Sequence, residues 1–421
     1  MRILETTENI QKLFEEYELC RLQASQVKTL ADKLRNKSVT LAVIGQFKRG
    51  KTTMVNSILG EKLLPVGIVP VTAAVTRIEY GSLNAEVHYF NGLSEKVPIE
   101  DLYKYISEQE NHENRKGVTE VSLHIESDFL KDGLILVDTP GVGSVHEKNS
   151  KSAYDFVRES DGVIFMLSVD SPVNRIEVEF LKSVRRFAGK FYFVVNKVDT
   201  VEPADLEEYM EYCTMLLSDI MGCENLHLIP ISAKKGNGID VLTGLVRTDI
   251  LNKSEEIMEE SVRLKLLEIL ESTRAQIRSY RQVLQMAPNV FNMRFRELGR
   301  MLEEYRESDR KMLISEPECK ILRARLNERK SSLVIKVKEL FGIEYYYSRD
   351  CFHADEIINC SEYAEEMEET YNQLEHTINT IFMYKEKDVY TVARRIEDLN
   401  ILMREMRIFS QRLEKKKSSG V

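Results

Sequence analysis

Hydrophobic positions follow three different periodicities along the chain. Residues 5–36 carry apolar side chains at alternating steps of three and four, from Ile10 to Leu34, which is typical of an amphipathic or coiled-coil helix. Residues 37–252 switch to short apolar runs separated by helix-like stretches, and residues 253–414 return to helical steps. The pattern predicts an N-terminal helix over 1–36, an α/β domain over 37–252, a helical region over 253–414 and a frayed Lys-rich tail over 415–421.

The central region fits a doubly wound, mostly parallel α/β sheet. Continuous apolar runs that alternate with helices indicate strands buried on both faces. An insert between residues 78 and 130 adds segments in which apolar and polar residues alternate, as in half-buried strands. The predicted core strands are 40–44, 134–137, 163–167, 191–195 and 226–231, and those of the insert are 78–80, 85–90 and 121–125.

The C-terminal region predicts an elongated antiparallel bundle. Chain breaks at Ala287-Pro288-Asn289, at Ser315-Glu316-Pro317 and near Gly342 separate long helices, and the N-terminal helix has the pattern to join them. Apolar and aromatic residues near these turns form a candidate distal tip. A tip of this kind suits a membrane interface, a partner or self-interface, or simple packing within the turns. The tip residues are Val290, Phe291, Met293, Tyr345, Tyr346, Tyr347 and Phe352.

Composition narrows the class of protein. With 59 Lys and Arg against 68 Asp and Glu, the formal net charge is −9, which argues against nucleic-acid binding. The six cysteines form no CxxC pair and no zinc-type cluster with histidine, so a reduced, cytoplasmic setting is expected. No apolar run reaches the ~18 residues of a transmembrane helix. Membrane contact is therefore expected to be peripheral, on the inner face of a membrane.

The first chemical motif follows the strand predicted at 40–44. Its sequence matches GxxxxGK[ST], the phosphate-binding loop between a strand and a helix. Backbone N–H groups of such a loop wrap phosphates, the lysine (Lys51) reaches the β- and γ-phosphates, and the hydroxyl of Thr52 is a Mg²⁺ ligand. The predicted nucleotide-binding residues are Gly45, Gln46, Phe47, Lys48, Arg49, Gly50, Lys51, Thr52 and Thr53.

The second motif is Asp138-Thr139-Pro140-Gly141, directly after the strand predicted at 134–137. A carboxylate at that strand end suits the Mg²⁺ shell, and the N–H of Gly141 can contact a γ-phosphate. A mobile loop between the first two motifs must supply a threonine for Mg²⁺ and the γ-phosphate. Thr72 is the first candidate and Thr76 the second, although Thr76 fits better as a strand residue.

Two further motifs point to guanine. Asn196-Lys197-Val198-Asp199 follows the strand at 191–195, and the Asp199 carboxylate can accept hydrogen bonds from guanine N1–H and N2–H₂, which adenine does not offer. Ser232-Ala233-Lys234 follows the run ending at Ile231, and its backbone N–H groups can meet guanine O6. The four motifs occur in the order used by GTPases, each at a predicted strand end. The sequence therefore predicts a Mg²⁺-dependent GTP and GDP site.

These stretches resemble the dynamin superfamily, specifically bacterial dynamin-like proteins. The resemblance lies in GQFKRGKTTMVNSILG (45–60), LPVGIVPVTAAVTRIEYG (64–81), GLILVDTPGVGS (133–144) and VVNKVD (194–199). It implies a large GTPase that dimerises through its G domains, forms higher oligomers and acts on membranes. Seven residues are expected in the roles given above: Lys51, Thr52, Thr72, Asp138, Asn196, Lys197 and Asp199.

One position departs from small signalling GTPases, in which a Gln orients the attacking water. Here that position is Val142, which offers no hydrogen-bonding group, so other groups must orient the water. Thr72 and phosphate-loop side chains are the candidates, completed when two G domains pair. Lys48 or Arg49 can act as a catalytic cationic finger. The alternative is that both are solvated or contact the partner G domain.

Two main hypotheses follow for the chain as a whole. The first is a dynamin-like GTPase, activated by G-domain dimerisation, that couples hydrolysis to stalk movement for membrane remodelling or scaffolding. The second is a slow, nucleotide-gated scaffold that holds a partner protein through its helices. A GTPase acting on ribosomes is disfavoured, because the chain is acidic and lacks a basic RNA-binding appendage.

Overall fold

The fold was obtained as a computed structural model. It describes residues 3–66, 74–89, 91–107, 109–111, 114–141, 156–223, 226–315 and 389–415, together with isolated helical residues between 328 and 379. Outside these residues lie Thr72, Val142, Glu316 and Pro317 of the second predicted break, Gly342, Tyr345, Tyr346, Tyr347, Phe352 and residues 416–421 of the predicted tail. The chain divides into two compact units, residues 1–8 with 26–266 and residues 9–25 with 267–421.

A nine-stranded sheet forms the centre of the first unit. Its strands are β1 (Val39–Ile44), β2 (Val75–Tyr80), β3 (Asn84–Tyr89), β4 (Ser94–Val97), β5 (Val118–Ile125), β6 (Leu134–Asp138), β7 (Gly162–Ser168), β8 (Lys190–Asn196) and β9 (Leu228–Pro230). Their spatial order is β4-β3-β5-β2-β6-β1-β7-β8-β9. The predicted α/β sheet is confirmed, and the insert proves to extend this sheet rather than to form one of its own.

Parallel pairing joins the strands that carry the motifs. Strand β1 pairs in parallel with β6 and β7, β7 with β8, and β8 with β9. All six residues of β1 and all seven of β7 are buried, as expected for strands covered on both faces. Because parallel strands end at one edge, the residues that follow β1, β6, β8 and β9 meet there. Antiparallel pairing occurs between β2 and β6, β3 and β4, and β3 and β5.

Helices occupy most of the remaining described residues. They are α1 (Ile3–Glu15), α2 (Arg21–Asn36), α3 (Lys51–Leu59), α4 (Tyr103–Ile106), α5 (Arg175–Val184), α6 (Pro203–Met221), α7 (Ile239–Gln285), α8 (Pro288–Ser315) and α9 (Val389–Lys415). The break predicted at Ala287-Pro288-Asn289 is confirmed, since α7 ends at Gln285 and α8 begins at Pro288. Within the described part of the chain, none of these helices has the length and apolarity needed to cross a membrane.

The N-terminal region is not the single helix predicted from periodicity. Helix α1 ends at Glu15, and a 3₁₀ turn over Glu18–Cys20 separates it from α2. Tyr17, the residue before that turn, has extended backbone angles (φ −119°, ψ 118°). The apolar steps continue through the break because a turn of this kind keeps Cys20 buried. Helices α1 and α7 contribute residues to both units, so the domain boundaries at 36, 252 and 414 stay predictions.

A buried charge network fixes the amino ends of β1 and β7. Asp161 lies just before β7, and its Oδ2 accepts bonds from the Thr40 N–H and from Lys33 Nζ, both at 2.9 Å. Lys265 of α7 donates to the Ser160 carbonyl at 2.7 Å and to Ser261 Oγ at 2.8 Å. Burial lowers the pKa of Lys265 to about 7. The network ties α2 and α7 to the end of the sheet opposite the motifs.

In the second unit, one cluster of buried side chains surrounds the α7–α8 turn. Phe291 is 1% exposed and lies 5.8 Å, between ring centroids, from both Phe295 and Phe341. Of the alternatives given for the tip region, the burial of Phe291 fits packing within the turn, because the first turn of α8 directs this ring into the helical core. Met293, two residues further on, is 61% exposed, as a tip residue would be.

Phe291→Ala should destabilise the second unit by about 3–5 kcal/mol, because it leaves a cavity where a fully buried ring was packed. Met293→Ala is the matched control, since loss of an exposed side chain typically changes stability by less than about 0.5 kcal/mol. Urea unfolding followed by circular dichroism measures both. Equal, small effects in the two variants would contradict the burial of Phe291.

Candidate functional site

The phosphate loop leaves β1 in a tight left-handed turn. Lys48 and Gly50 have positive φ, 66° and 92°. A Cβ on Gly50 would lie 2.4 Å from Asn196 Nδ2, so only glycine fits both the turn and the neighbour. Helix α3 begins at Lys51, which directs its first N–H groups towards the loop. This strand–loop–helix arrangement is the structural context that a phosphate-binding motif requires.

The side chain of Lys51 folds back onto the phosphate loop. Its Nζ donates to the carbonyls of Gly45 at 2.9 Å and Gln46 at 3.4 Å. Burial lowers the pKa of Lys51 to about 8, although the nearby Asp138 carboxylate opposes that shift. Lys51 therefore remains mostly protonated at neutral pH. Its charge lies among the backbone groups that would face a phosphate.

Thr52 and Asp138 come together, as the order of the motifs suggests. Thr52 Oγ1 donates to Asp138 Oδ2 at 2.7 Å. Burial raises the pKa of Asp138 to about 6, and the Thr52 bond and the Lys51 charge partly offset this. The other carboxylate oxygen, Oδ1, is buried and has no hydrogen-bond partner among the described residues. A buried carboxylate oxygen left in this way fits a site completed by a cation or its water.

The turn after β6 is locked against the phosphate loop. Thr139 Oγ1 donates to the Val43 carbonyl of β1 at 2.7 Å. A Cβ on Gly141 would lie 2.8 Å from the Phe47 Cα and 2.9 Å from its N. The two loops therefore touch, backbone against backbone, at a point where only glycine fits.

Asn196 joins three of the four motifs through one amide. Its Nδ2 donates to the Arg49 carbonyl at 2.8 Å, and its Oδ1 accepts the Ala233 N–H at 2.9 Å. The side chain is buried, so both bonds are shielded from water. In this way the end of β8 holds the phosphate loop and the loop after β9 at a fixed distance from each other.

Asp199 follows β8 at the same edge of the sheet. A hydrogen bond from Ser232 lowers its pKa, and Lys235, at 3.4 Å from Oδ2, contributes further. The carboxylate is thus ionised at neutral pH and can accept two N–H donors. Lys197 has φ 64° and donates to Asp170 Oδ2 at 2.6 Å, while Lys234 is exposed.

Arg49 occupies a position that does not suit the predicted cationic finger. The residue is 2% exposed, and its guanidinium forms a two-pronged ion pair with Glu177 of α5, at 2.9 Å (Nε–Oε1) and 2.7 Å (Nη2–Oε2). The remaining N–H groups are taken by the carbonyls of Ser168, Ser171 and Pro172 and by Ser168 Oγ. With every donor used, a finger role would require breaking a buried ion pair. Lys48, by contrast, is exposed, with its Nζ 5.4 Å from the centre of the Phe47 ring.

Sequence reasoning missed the segment between β7 and α5. Besides Glu177, this segment supplies Asn174, whose Nδ2 donates to Gln46 Oε1 at 2.7 Å, and Asp170, which binds Lys197. Asn174 and Glu177 form a capping box at the start of α5. The spacing N-x-x-E before an apolar stretch is a recognisable helix start, so the helix could have been placed, but not its contact with the phosphate loop.

Comparison with known proteins finds similarity in the part of the chain that carries this site. Residues 41–199 match the profile of the dynamin family, and this range contains the phosphate loop, Asp138 and the Asn196–Asp199 motif. Over this range the chain is similar to the dynamin family. Its G domain is the part that carries the match.

Two relatives illustrate the extent of the similarity. An uncharacterised protein encoded 3′ of xynA in Caldicellulosiruptor is 34% identical over 260 residues, which is 61% of each chain. Dynamin-like protein 1 of Campylobacter jejuni is 26% identical over 346 residues, 72% of this chain and 45% of its own length. The present chain therefore spans less than two thirds of either relative.

A solved bacterial dynamin pair, described as a mechanism for long-range sensing and tethering of membranes, covers 96% of this chain and 78% of its own. The TM-score is 0.43 and the sequence identity 16%.

Glu177→Gln should destabilise the G domain by about 3–5 kcal/mol, because it leaves the buried Arg49 charge without its partner. Glu179→Gln is the matched control on the same helix. Glu179 pairs with Arg175 at the surface, where loss of an ion pair costs less than about 1 kcal/mol. Thermal unfolding distinguishes the two variants. If Glu177→Gln left the stability of the protein unchanged, the ion pair would not hold Arg49 in place, and Arg49 would again be a candidate for the cationic finger.

Asp199→Asn should exchange GTP for xanthosine triphosphate as the preferred nucleotide. The amide can donate to the xanthine 2-oxo group but accepts poorly from the two guanine N–H groups. Each hydrogen bond that guanine would have donated to the Asp199 carboxylate contributes about 1.5–3 kcal/mol to binding, and this is lost. Competition binding against labelled GTP measures the preference, with Asp205→Asn of α6 as the charge-matched control. Retained GTP preference would assign base recognition to another residue.

Proposed function

We propose that the chain binds GTP and hydrolyses it to GDP and phosphate with Mg²⁺. The observation that carries the proposal is the 2.7 Å hydrogen bond between Thr52 and Asp138, next to the buried amine of Lys51. A hydroxyl at the start of a phosphate-loop helix and a carboxylate at the end of a neighbouring strand are the pair that GTPases use at Mg²⁺. The similarity of residues 41–199 to the dynamin family supports the same activity.

Each protein group has a distinct part in the proposed reaction. Lys51 and the loop N–H groups bind the β- and γ-phosphates and hold the γ-phosphate in line for attack. Asp199 selects guanine, and the backbone N–H groups of Ser232, Ala233 and Lys234 contact guanine O6. Bound Mg²⁺ would supply neutralisation of the charge that develops on the phosphate oxygens. Thr52 and Asp138 are the described residues that would hold it, and Thr72 is proposed as the third.

In small signalling GTPases a glutamine positions the attacking water. Val142 stands at that position here, so another group must position the water. We propose Thr72 as the residue that positions the attacking water. Lys48 is the stronger candidate for a cationic finger, because its side chain is exposed on the phosphate loop while that of Arg49 is enclosed by Glu177. A lysine in this position can act on its own nucleotide or on that of a second G domain.

We further propose that G-domain pairing activates turnover and that the helical unit transmits the change to a membrane or a partner protein. The support is the similarity of residues 41–199 to the dynamin family, together with the exposed side chain of Lys48 on the phosphate loop. The alternative, a slow nucleotide-gated scaffold, predicts the same binding site but no dependence of turnover on protein concentration. Peripheral membrane contact on the cytoplasmic face belongs to the first proposal.

GTP turnover per molecule should rise with protein concentration if two G domains complete each other's sites. Phosphate release is measured across a concentration series, with and without anionic liposomes, and Lys51→Ala serves as the inactive control. Flat turnover would favour the scaffold. Turnover that Lys51→Ala leaves unchanged would refute the phosphate-loop assignment itself.

A further inference from the structure

Two neighbouring polar atoms beside the Thr52–Asp138 bond have no hydrogen-bond partner in the described part of the chain. They are Thr76 Oγ1 and Asp138 Oδ1. Thr76 is 0% exposed and Asp138 is 1% exposed. Leaving a buried hydroxyl or carboxylate oxygen unsatisfied costs about 1–3 kcal/mol, and more for the charged group. Two such atoms in one place indicate a shared partner that is not a protein group.

The strand register brings the two side chains together. Thr76 stands directly opposite Asp138 in the antiparallel pair of β2 and β6. Residues opposite each other in such a pair project from the same face, with Cβ atoms about 4.5–5.5 Å apart. The next pair on this face, Ile78 with Leu136, is buried in the main core. Thr52, bonded to Asp138 Oδ2, closes the same corner from α3.

Packing alone does not explain a hydroxyl at position 76. Valine has nearly the same shape and suits a buried strand at least as well, without a polar atom to satisfy. Thr139 shows how the same sheet treats another buried threonine, whose Oγ1 donates to the Val43 carbonyl at 2.7 Å. Thr76 lacks such a bond among the described residues, which indicates that its hydroxyl serves a ligand.

We propose that Thr76 is a positioning residue of the Mg²⁺ site, whose hydroxyl and Asp138 Oδ1 together bind a water of the ion's hydration shell. Mg²⁺ in proteins keeps several of its waters, and groups that bind those waters orient the ion without touching it. The inference rests on the proposed GTPase function. It differs from the switch-loop role weighed for Thr76, because the residue acts from within a buried strand.

The test compares Thr76→Val with Thr76→Ser and with Ile78→Val. The valine removes only the hydroxyl, the serine retains it, and Ile78→Val makes a small change on the same face of the same strand. GDP affinity is measured by calorimetry across a Mg²⁺ series and in EDTA. Thermal unfolding without nucleotide is recorded alongside.

For Thr76→Val, the Mg²⁺ concentration needed for half of the affinity gain should rise about tenfold, as for other groups that support a metal site indirectly. GDP affinity in EDTA should stay unchanged, and the unfolding temperature should stay equal or increase. Thr76→Ser and Ile78→Val should keep the Mg²⁺ dependence of the unmodified chain.

An unchanged Mg²⁺ dependence in Thr76→Val, or an equal loss in Ile78→Val, would overturn the inference. If the valine variant fails to fold, loss of Mg²⁺ dependence in Thr76→Ser would overturn it equally, since the hydroxyl is still present. The unmodified chain tests the proposed function separately, because it must show Mg²⁺-dependent GDP binding in the first place. Without that binding, both proposals fall.

Discussion

The amide of Asn196 is the interaction on which the geometry of the site depends. One nitrogen and one oxygen hold the phosphate loop and the loop after β9, at 2.8 Å and 2.9 Å. Both bonds are buried, where a lost partner costs more than at the surface. The amide can span these loops because parallel pairing of β1, β7, β8 and β9 ends all four strands at one edge. The loops that we propose to bind the phosphates and the base are therefore joined by one side chain.

The two halves of the site differ in how completely the protein satisfies its own polar groups. Around Arg49, every guanidinium donor has an acceptor, so the phosphate loop is fixed to α5. A buried ion pair contributes little net stability compared with an apolar replacement, but breaking one side of it is costly. The Arg49–Glu177 ion pair thus holds the phosphate loop in one arrangement relative to α5. Around Asp138, a carboxylate oxygen and the Thr76 hydroxyl have no partner among the described residues, which is the property of a ligand site.

The segment between β7 and α5, together with Glu177 of α5, connects the phosphate loop with the Asn196–Asp199 motif. Asn174 binds Gln46 in the phosphate loop, Asp170 binds Lys197, and Glu177 binds Arg49. Tyr209 of α6 donates to the Ser168 carbonyl at 3.0 Å and supports the same segment from behind. A change at Glu177 is therefore expected to reach both phosphate and base recognition, although Glu177 itself belongs to neither motif.

The sequence by itself determined the α/β sheet, the break between α7 and α8 and the four motifs, because these depend on local pattern. Apolar runs specify buried strands, and glycines and prolines specify turns. It also identified Thr52 and Asp138 as a candidate pair, since strand ends in such a sheet converge.

Only the tertiary structure decided which charges and rings face inward. Arg49 and Lys48 are adjacent and basic, yet one is enclosed by Glu177, 128 residues away, and the other is exposed. Phe291 is buried and Met293 is exposed within a single helical turn. The role proposed for Thr76 depends on Asp138, which lies opposite it in the neighbouring strand. Such contacts join residues far apart in the chain, so no local pattern of hydrophobic and polar positions records them.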